Sequence, residues 1–404
     1  MRKTVLCVLL AACLLCSAVF AIPEGPAEPA LDPSAPMTAC PDVPAPSVLL
    51  LERETGRIIC EKNADEKLAP ASVTKIMTLL LTVEAVEAGT LSLDTVVTVS
   101  RAAQSVKGSS AFLTEGERYT VHEMLKAVAV QSANDGSVVL AEAVAGTEEA
   151  FVSRMNARAA ELGMSGTNFV NSHGLDAPNH YTTARDVAIM SRALLGHKLI
   201  RQYTTIWMDT LRDGTFMLAS TNRLVRYYDG TTGLKTGTTD AAGCCISASA
   251  ERGGMELIAV VMRADTSDKR YDAARKLLDF GFANYATVAV YPETVPLPVP
   301  VTLGRKPEVQ PVLETSDKIL VEKLKTGLVE KKLTLAEDVQ APVTAGQILG
   351  ELTVTLEGQT LARVSLVAAE DVARLTWWDI FTHMLGLAFM CHGNACNICA
   401  NTVQ

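Results

Sequence analysis

The sequence predicts an α/β protein: a sheet flanked by helices, a helical subdomain inserted within it, and a small all-β domain after it. Three observations carry this. Strand-like runs stand first and return near residue 243, so pairing of first and last strands closes one sheet. Helical spacing fills the stretch between them. Past Tyr285 the texture changes to Val, Pro and short strand-like runs.

Each element follows in order. Val48 to Arg53 and Arg57 to Glu61 flank Glu54-Thr55-Gly56, which reads as a β-hairpin. Val73, Ile76, Met77, Leu80 and Val83 recur at helical spacing between Ser72 and Ala88, and Gly89 stops the helix. Further helices are predicted over Val121 to Val130, Gly136 to Ala145, Glu148 to Leu162 and Thr183 to Leu195. Gly243 to Ala250 and Glu256 to Met262 read as strands around the turn Glu251-Arg252-Gly253-Gly254, and Lys269 to Ala283 as a closing helix. Ile319 to Leu324, Lys331 to Leu335, Gly350 to Leu356 and Arg363 to Ala369 supply the all-β domain, and Leu375 to Met390 is an apolar tail.

At 404 residues and 48% hydrophobic composition the chain has material for a sizeable core. Its net charge of −9 and the lack of any Lys/Arg cluster argue against nucleic-acid binding. Arg2 and Lys3, the uncharged run Thr4 to Ser17 and the small residues ending at Ala21 form an export signal. Leu10-Ala11-Ala12-Cys13 resembles a lipidation box but lies inside the apolar run. The expected organisation is a signal peptide over 1–21, a Pro/Ala linker over 22–46, a catalytic domain over 47–285, a β-rich domain over 286–373, and a tail over 374–404. Of ten cysteines, Cys7, Cys13 and Cys16 leave with the signal, so an odd number remains. One or two disulfides fit an exported chain, but spacing does not pair them. Cys391, His392, Cys396 and Cys399 are read as thiols or disulfides rather than a zinc site. No metal or cofactor is expected elsewhere. Cys244 and Cys245 are read as strand packing.

Three short sequences carry chemistry: Ser72-Val73-Thr74-Lys75, Ser132-Ala133-Asn134 and Lys235-Thr236-Gly237. Each alone is weak. Ser72 alone reads better as a helix cap, Ser132 and Asn134 as turn residues, and Lys235 as a solvated lysine. Their order on the predicted elements matches the S-x-x-K, S-x-N and K-T-G elements of serine β-lactamases and penicillin-binding proteins. A serine hydroxyl attacks only if a neighbour takes its proton. Lys75, one helical turn on, shares a face with Ser72. Burial and the charge of Lys235 would lower its pKa and make it a base. Ser132 suits proton relay to a leaving amine, and Asn134 suits a substrate carbonyl. Lys235, Thr236 and Thr238 suit a carboxylate, while Gly237 lets the strand backbone approach a peptide-like substrate.

The match runs further. Leu68-Ala69-Pro70-Ala71-Ser72 to Thr78, Leu162-Gly163-Met164 to Phe169, Asn171-Ser172-His173-Gly174-Leu175, His180 to Asp186, Gly233 to Thr239 and Ala242-Gly243-Cys244 resemble the low-molecular-weight penicillin-binding proteins, the serine D-Ala-D-Ala carboxypeptidases. The resemblance covers Val48 to Asn284 and, more loosely, the β domain. It implies a DD-transpeptidase/β-lactamase-like fold and no cofactor. It also implies Ser72 as nucleophile, Lys75 as general base and Ser132 as proton relay, with the N–H groups of Ser72 and Thr238 as oxyanion hole. The implied reaction removes the terminal D-alanine of peptidoglycan stem pentapeptides, with β-lactams as inhibitors acylating Ser72. Arg270 stands where the family places an arginine for the substrate carboxylate. The tail corresponds to an amphipathic segment on the outer face of the cytoplasmic membrane, although Leu375 to Met390 holds Asp379 and no Lys or Arg. A β-lactamase of the major class would need a Glu-x-x-Leu-Asn loop, which Glu161-Leu162-Gly163-Met164-Ser165 does not supply. A DD-endopeptidase would use the same residues. A non-catalytic wall-binding protein would not need all three motifs.

Overall fold

The computed structural model describes residues 36–291, 296–314, 318–382 and 384. Residues 1–21, read as an export signal, and the cysteines beyond Met390 lie outside these residues.

The hairpin forms as β1 (Ser47–Glu52) and β2 (Ile58–Lys62). β3 (Thr231–Thr239), β4 (Gly243–Arg252) and β5 (Met255–Ala264) return to it. The five strands order as β2-β1-β5-β4-β3, and every pair is antiparallel. The first strand therefore pairs with the last, Val48 opposite Val261 and Leu50 opposite Ala259. Val48 to Leu51 of β1 are an unbroken apolar run because both faces of the sheet are covered. Leu49, Leu51, Ile258 and Val260 face the helical core. Val48, Leu50, Leu257 and Val261 face α6 (Ser267–Asn284), with its Ala273, Ala274, Leu277 and Leu278. Truncating a leucine such as Leu50 would cost about 2–5 kcal/mol.

The inserted helices are α1 (Lys75–Glu87), α2 (Val121–Lys126), α3 (Asn134–Ala145), α4 (Glu148–Glu161) and α5 (Ala184–Gly196). Thr120 and Glu123 form a capping box on α2, and Thr183 and Thr266 cap α5 and α6. Two departures from the expected helices shape the site. The turn holding Ser72 is a 3₁₀ turn, Ala71–Thr74, ahead of α1. The helix expected through Val130 widens after Lys126 into a π turn, Ala127–Gln131, which ends on Ser132. Asn134, expected in a loop, is the first residue of α3.

Residues 36–46, expected as linker, are instead seated on the sheet. Met37 and Thr38 donate to the Ile59 carbonyl, Cys40 is joined to Cys60, and Val43 and Ala45 are buried. The Pro/Ala composition hid these contacts, and sequence spacing could not pair the cysteines.

Beyond Asn284 the chain enters strands at once. A four-stranded sheet combines 311–313, 359–368, 348–356 and 329–335. Smaller sheets join 285–289 with 318–322, and 299–302 with 308–309 and 339–340. Two small apolar clusters, around Val301 and Val354, hold this region together.

Candidate active site

The cleft lies where the 3₁₀ turn, the start of α3 and the edge strand β3 meet. Ala71 has φ +48° and Ser132 has φ +63°, both in the left-handed region that only glycine occupies freely. Such residues cost of order 1–3 kcal/mol each and survive where surrounding structure fixes them. Here they stand beside Ser72 and at the second motif.

Lys75 is fully buried at the start of α1. Its Nζ donates to Ser72 Oγ at 3.0 Å, Asn134 Oδ1 at 2.6 Å and the His173 carbonyl at 2.5 Å. The first two motifs are thus joined through Lys75. Burial first, then the charge of Lys235, holds the Lys75 ammonium well below its ordinary range, while Asp135 opposes. Ser132 is buried, and its Oγ has no hydrogen-bond partner among the described residues.

On β3, Lys235 is buried and donates to the Thr236 carbonyl at 3.0 Å. Burial, then the charge of Arg270, lowers its pKa to about 7. Thr236 Oγ1 donates to Thr221 Oγ1 at 2.9 Å. A Cβ on Gly237 would lie 2.8 Å from the Ser72 nitrogen, so only glycine lets the strand backbone pass the nucleophile this closely. Arg270 is buried behind the strand. It donates to the Gly237 carbonyl and Thr238 Oγ1, both at 3.2 Å, and to the Cys245 carbonyl at 3.3 Å. The guanidinium also donates to Ser267 Oγ at 3.0 Å, and the Thr238 hydroxyl it meets in turn donates to the Gly237 carbonyl at 2.8 Å. All nine residues singled out in the sequence gather around this cleft: Ser72, Lys75, Ser132, Asn134, Lys235, Thr236, Gly237, Thr238 and Arg270.

Sequence reasoning missed several partners. Asp135 accepts from Ser110 Oγ at 2.6 Å and from the Ala111 and Leu113 N–H groups at 3.1 Å, which fixes the loop over α3. Its place next to Asn134 was the available signal. Asp176 accepts from Thr239 Oγ1 at 2.7 Å across the end of β3. The His173 carbonyl and Thr221 carry no side-chain signature of their roles. Among the described residues no group of three or more His, Cys, Asp or Glu could hold a metal ion. Cys244 and Cys245 are buried thiols within the sheet.

A family model described as D-alanyl-D-alanine carboxypeptidase matches residues 34–266, and one described as the C-terminal domain of penicillin-binding protein 5 matches 285–374. The D-alanyl-D-alanine carboxypeptidase DacF of Bacillus subtilis is 41% identical over 85% of this chain and 89% of its own length. DacC of Escherichia coli is 35% identical over 82% and 85%. The solved penicillin-binding protein 5 of Haemophilus influenzae superposes with a TM-score of 0.72 at 30% identity, covering 83% of this chain and 99% of its own. Penicillin-binding protein D2 of Listeria monocytogenes, solved in its ampicillin-bound form, does so with a TM-score of 0.55 at 34% identity over 59% and 98%. Fold, cleft and likeness agree, and the chain belongs to the D-alanyl-D-alanine carboxypeptidase family.

Proposed function

We propose that this protein removes the terminal D-alanine from peptidoglycan stem pentapeptides through an acyl-enzyme on Ser72. The observation that carries this is the buried Lys75 Nζ, 3.0 Å from Ser72 Oγ with its pKa held down. Neutral Lys75 takes the Ser72 proton as Oγ bonds to the carbonyl carbon between the two D-alanines. The resulting oxyanion sits against the N–H groups of Ser72 and Thr238, each worth about 10²–10³ in rate. The C–N bond then breaks, and the proton passes from Lys75 through Ser132 to the departing amine. Water releases the acyl group. Lys235, Thr236 and the Thr238 hydroxyl receive the substrate carboxylate, with Arg270 acting through Thr238. β-Lactams enter the same path and stay on Ser72.

Glu161 is exposed at the end of α4 and paired with Arg158 at 2.9 Å, which disfavours a β-lactamase with a glutamate-activated water. The test is D-alanine release from a stem pentapeptide by the parent and Ser72→Ala. The variant is expected to lose about 10⁴-fold or more. D-alanine release at the parent rate would refute the reading, and release of crosslinked peptides in its place would mark an endopeptidase.

We further propose export and attachment to the outer membrane face through the tail. Trp377 stacks on Phe381 at 5.3 Å, Trp378 lies edge-on to both, and all three are exposed. Such an aromatic face suits a membrane interface. Asp379, the charge that counted against this, bonds Thr376 at 2.7 Å and Arg305 at 3.0 Å. Sedimentation with anionic and zwitterionic vesicles should carry the parent down and leave Trp377→Ser/Trp378→Ser in solution. Equal sedimentation of both would contradict it.

A further inference from the structure

Lys75 Nζ meets three oxygens of two kinds. The Asn134 amide oxygen at 2.6 Å and the His173 carbonyl at 2.5 Å can only accept, whereas Ser72 Oγ at 3.0 Å can also donate. A lysine acting as base is a neutral amine with two N–H bonds and one lone pair. The two obligate acceptors take the N–H bonds, and the lone pair is left facing the Ser72 hydroxyl. The direction of the lone pair therefore depends on how firmly those two oxygens are held.

Asn134 is held by its own amide, because Nδ2 donates to the Lys107 carbonyl at 2.6 Å and leaves Oδ1 toward Lys75. The His173 carbonyl is held by a turn built on Asn171. Asn171 Oδ1 accepts from the Gly174 N–H at 2.6 Å and the His173 N–H at 3.3 Å, and Nδ2 donates to the Leu175 carbonyl at 3.0 Å. Neighbours brace the turn. Glu148 Oε1 accepts from the Ser172 N–H at 2.9 Å and its hydroxyl at 2.7 Å, and Thr78 Oγ1 donates to the Ser172 carbonyl at 2.5 Å. Gly174, at φ +92°, runs so close to the nucleophile's turn that a Cβ there would lie 1.9 Å from the Ala71 carbonyl oxygen.

We propose that Asn171 is a positioning residue for the acylation step: it fixes the His173 carbonyl and thereby aims the Lys75 lone pair at Ser72. This rests on the reading of Lys75 as the base. The charged and titratable groups around Lys75 are Lys235 on β3, Asp135 on α3 and the His173 ring. Asn171→Ala and Asn171→Ser leave all three in place, whereas Asn171→Asp adds a carboxylate, so only its plateau rate is read.

The test is the rate of Ser72 acylation by a labelled penicillin against pH, on the full mature chain, for the parent, Asn171→Ala, Asn171→Asp, Asn171→Ser and Lys75→Ala. Circular dichroism gives the folded fraction of each. Asn171→Ala should lower the plateau rate about 10–100-fold and move the acid limb to lower pH, because the ammonium loses a fixed acceptor. Asn171→Asp, which keeps acceptor oxygens for both N–H groups, should recover the plateau to within about threefold. Should Asn171→Ala not fold, Asn171→Ser carries the test, with an intermediate rate expected. Asn171→Ala with the parent's plateau and acid limb would overturn the proposal. So would a loss that Asn171→Asp shares in full, or one explained by the folded fraction. Undiminished acylation by Lys75→Ala would instead overturn the base on which the proposal stands, so the two failures are distinguishable.

Discussion

The cleft and the β domain treat charge in opposite ways. Around Ser72 the structure buries Lys75, Lys235, Arg270 and Asp135, sets two non-glycine residues at positive φ, and holds both lysines below their ordinary range. In the β domain the charges stay outside. Lys331 and Lys332 are exposed along an edge strand, and Lys306 pairs with Glu370 in solvent. An edge lined with lysine resists pairing with other chains. Burying a cation is expensive unless something compensates, so the cleft carries a desolvation cost that its surroundings must offset. The β domain has its own positive-φ residues, Leu303 and Glu357, but they lie in turns and it buries no such charge. The difference teaches where function sits: in the region whose local structure departs from what is cheapest.

The largest effect is expected at Lys235. Lys235→Ala should lower kcat/KM for the pentapeptide about 10²–10³-fold, as for loss of one charge-stabilising donor. In the parent, activity rises with pH as Lys75 loses its proton and falls as Lys235 loses its own, so the profile of kcat/KM is bell-shaped. The alkaline limb belongs near pH 7 in the free enzyme. Lys235→Arg, whose guanidinium stays charged, should lose that limb whatever its plateau. A limb unchanged in Lys235→Arg would show that another group controls it.

Next comes the strap over 36–46. The Cys40–Cys60 bridge closes a separation of 20 residues, and removing it as Cys40→Ala/Cys60→Ala should cost about 3 kcal/mol. Calorimetry should place that loss in the catalytic region and leave the β domain's transition where it was.

Acid sharpens the comparison further. Burial first, with the Lys75 charge next for His173, lowers His173 to about 3 and His180 to about 4 from an ordinary 6.5. The unfolded chain takes up protons below pH 6.5 while the folded chain does not until pH 4 or lower. Their contribution is present in full above pH 6.5 and is lost as pH falls toward the folded values. Between pH 7.5 and 5.5 the two together should cost about 2–3 kcal/mol. The segment 286–373 contains no histidine, so its transition should not share this loss. The smallest effect is expected at Leu324, 97% exposed in the β domain. Leu324→Ser should stay within about 0.5 kcal/mol, and a larger loss would reveal a buried role for this residue.

Four of the five strands and the three motifs were legible because they leave local signatures: Val48 to Leu51 are apolar without a break, and Ser72, Lys75, Lys235 and Gly237 sit in short fixed spacings. The edge strand β3 was not among them. The pairing of the first and last strands was expected from the order of runs, while its antiparallel sense came from the structure. What stayed hidden acts over distance or through backbone. The bond from Cys40 to Cys60 needs geometry that spacing does not contain. The π turn before Ser132 is an irregularity that helical periodicity smooths over. The His173 carbonyl is an atom every residue carries, so no side chain announces it. Arg270 was assigned to the substrate carboxylate by resemblance, and its bonds to Gly237, Thr238, Cys245 and Ser267 are not written in any spacing.

The nucleophile is located by reacting the mature protein with a penicillin, digesting it, and finding the added mass by tandem mass spectrometry. A single penicilloyl group is expected on Ser72, absent from Ser72→Ala. Label on any other serine, or the same label in Ser72→Ala, would contradict it.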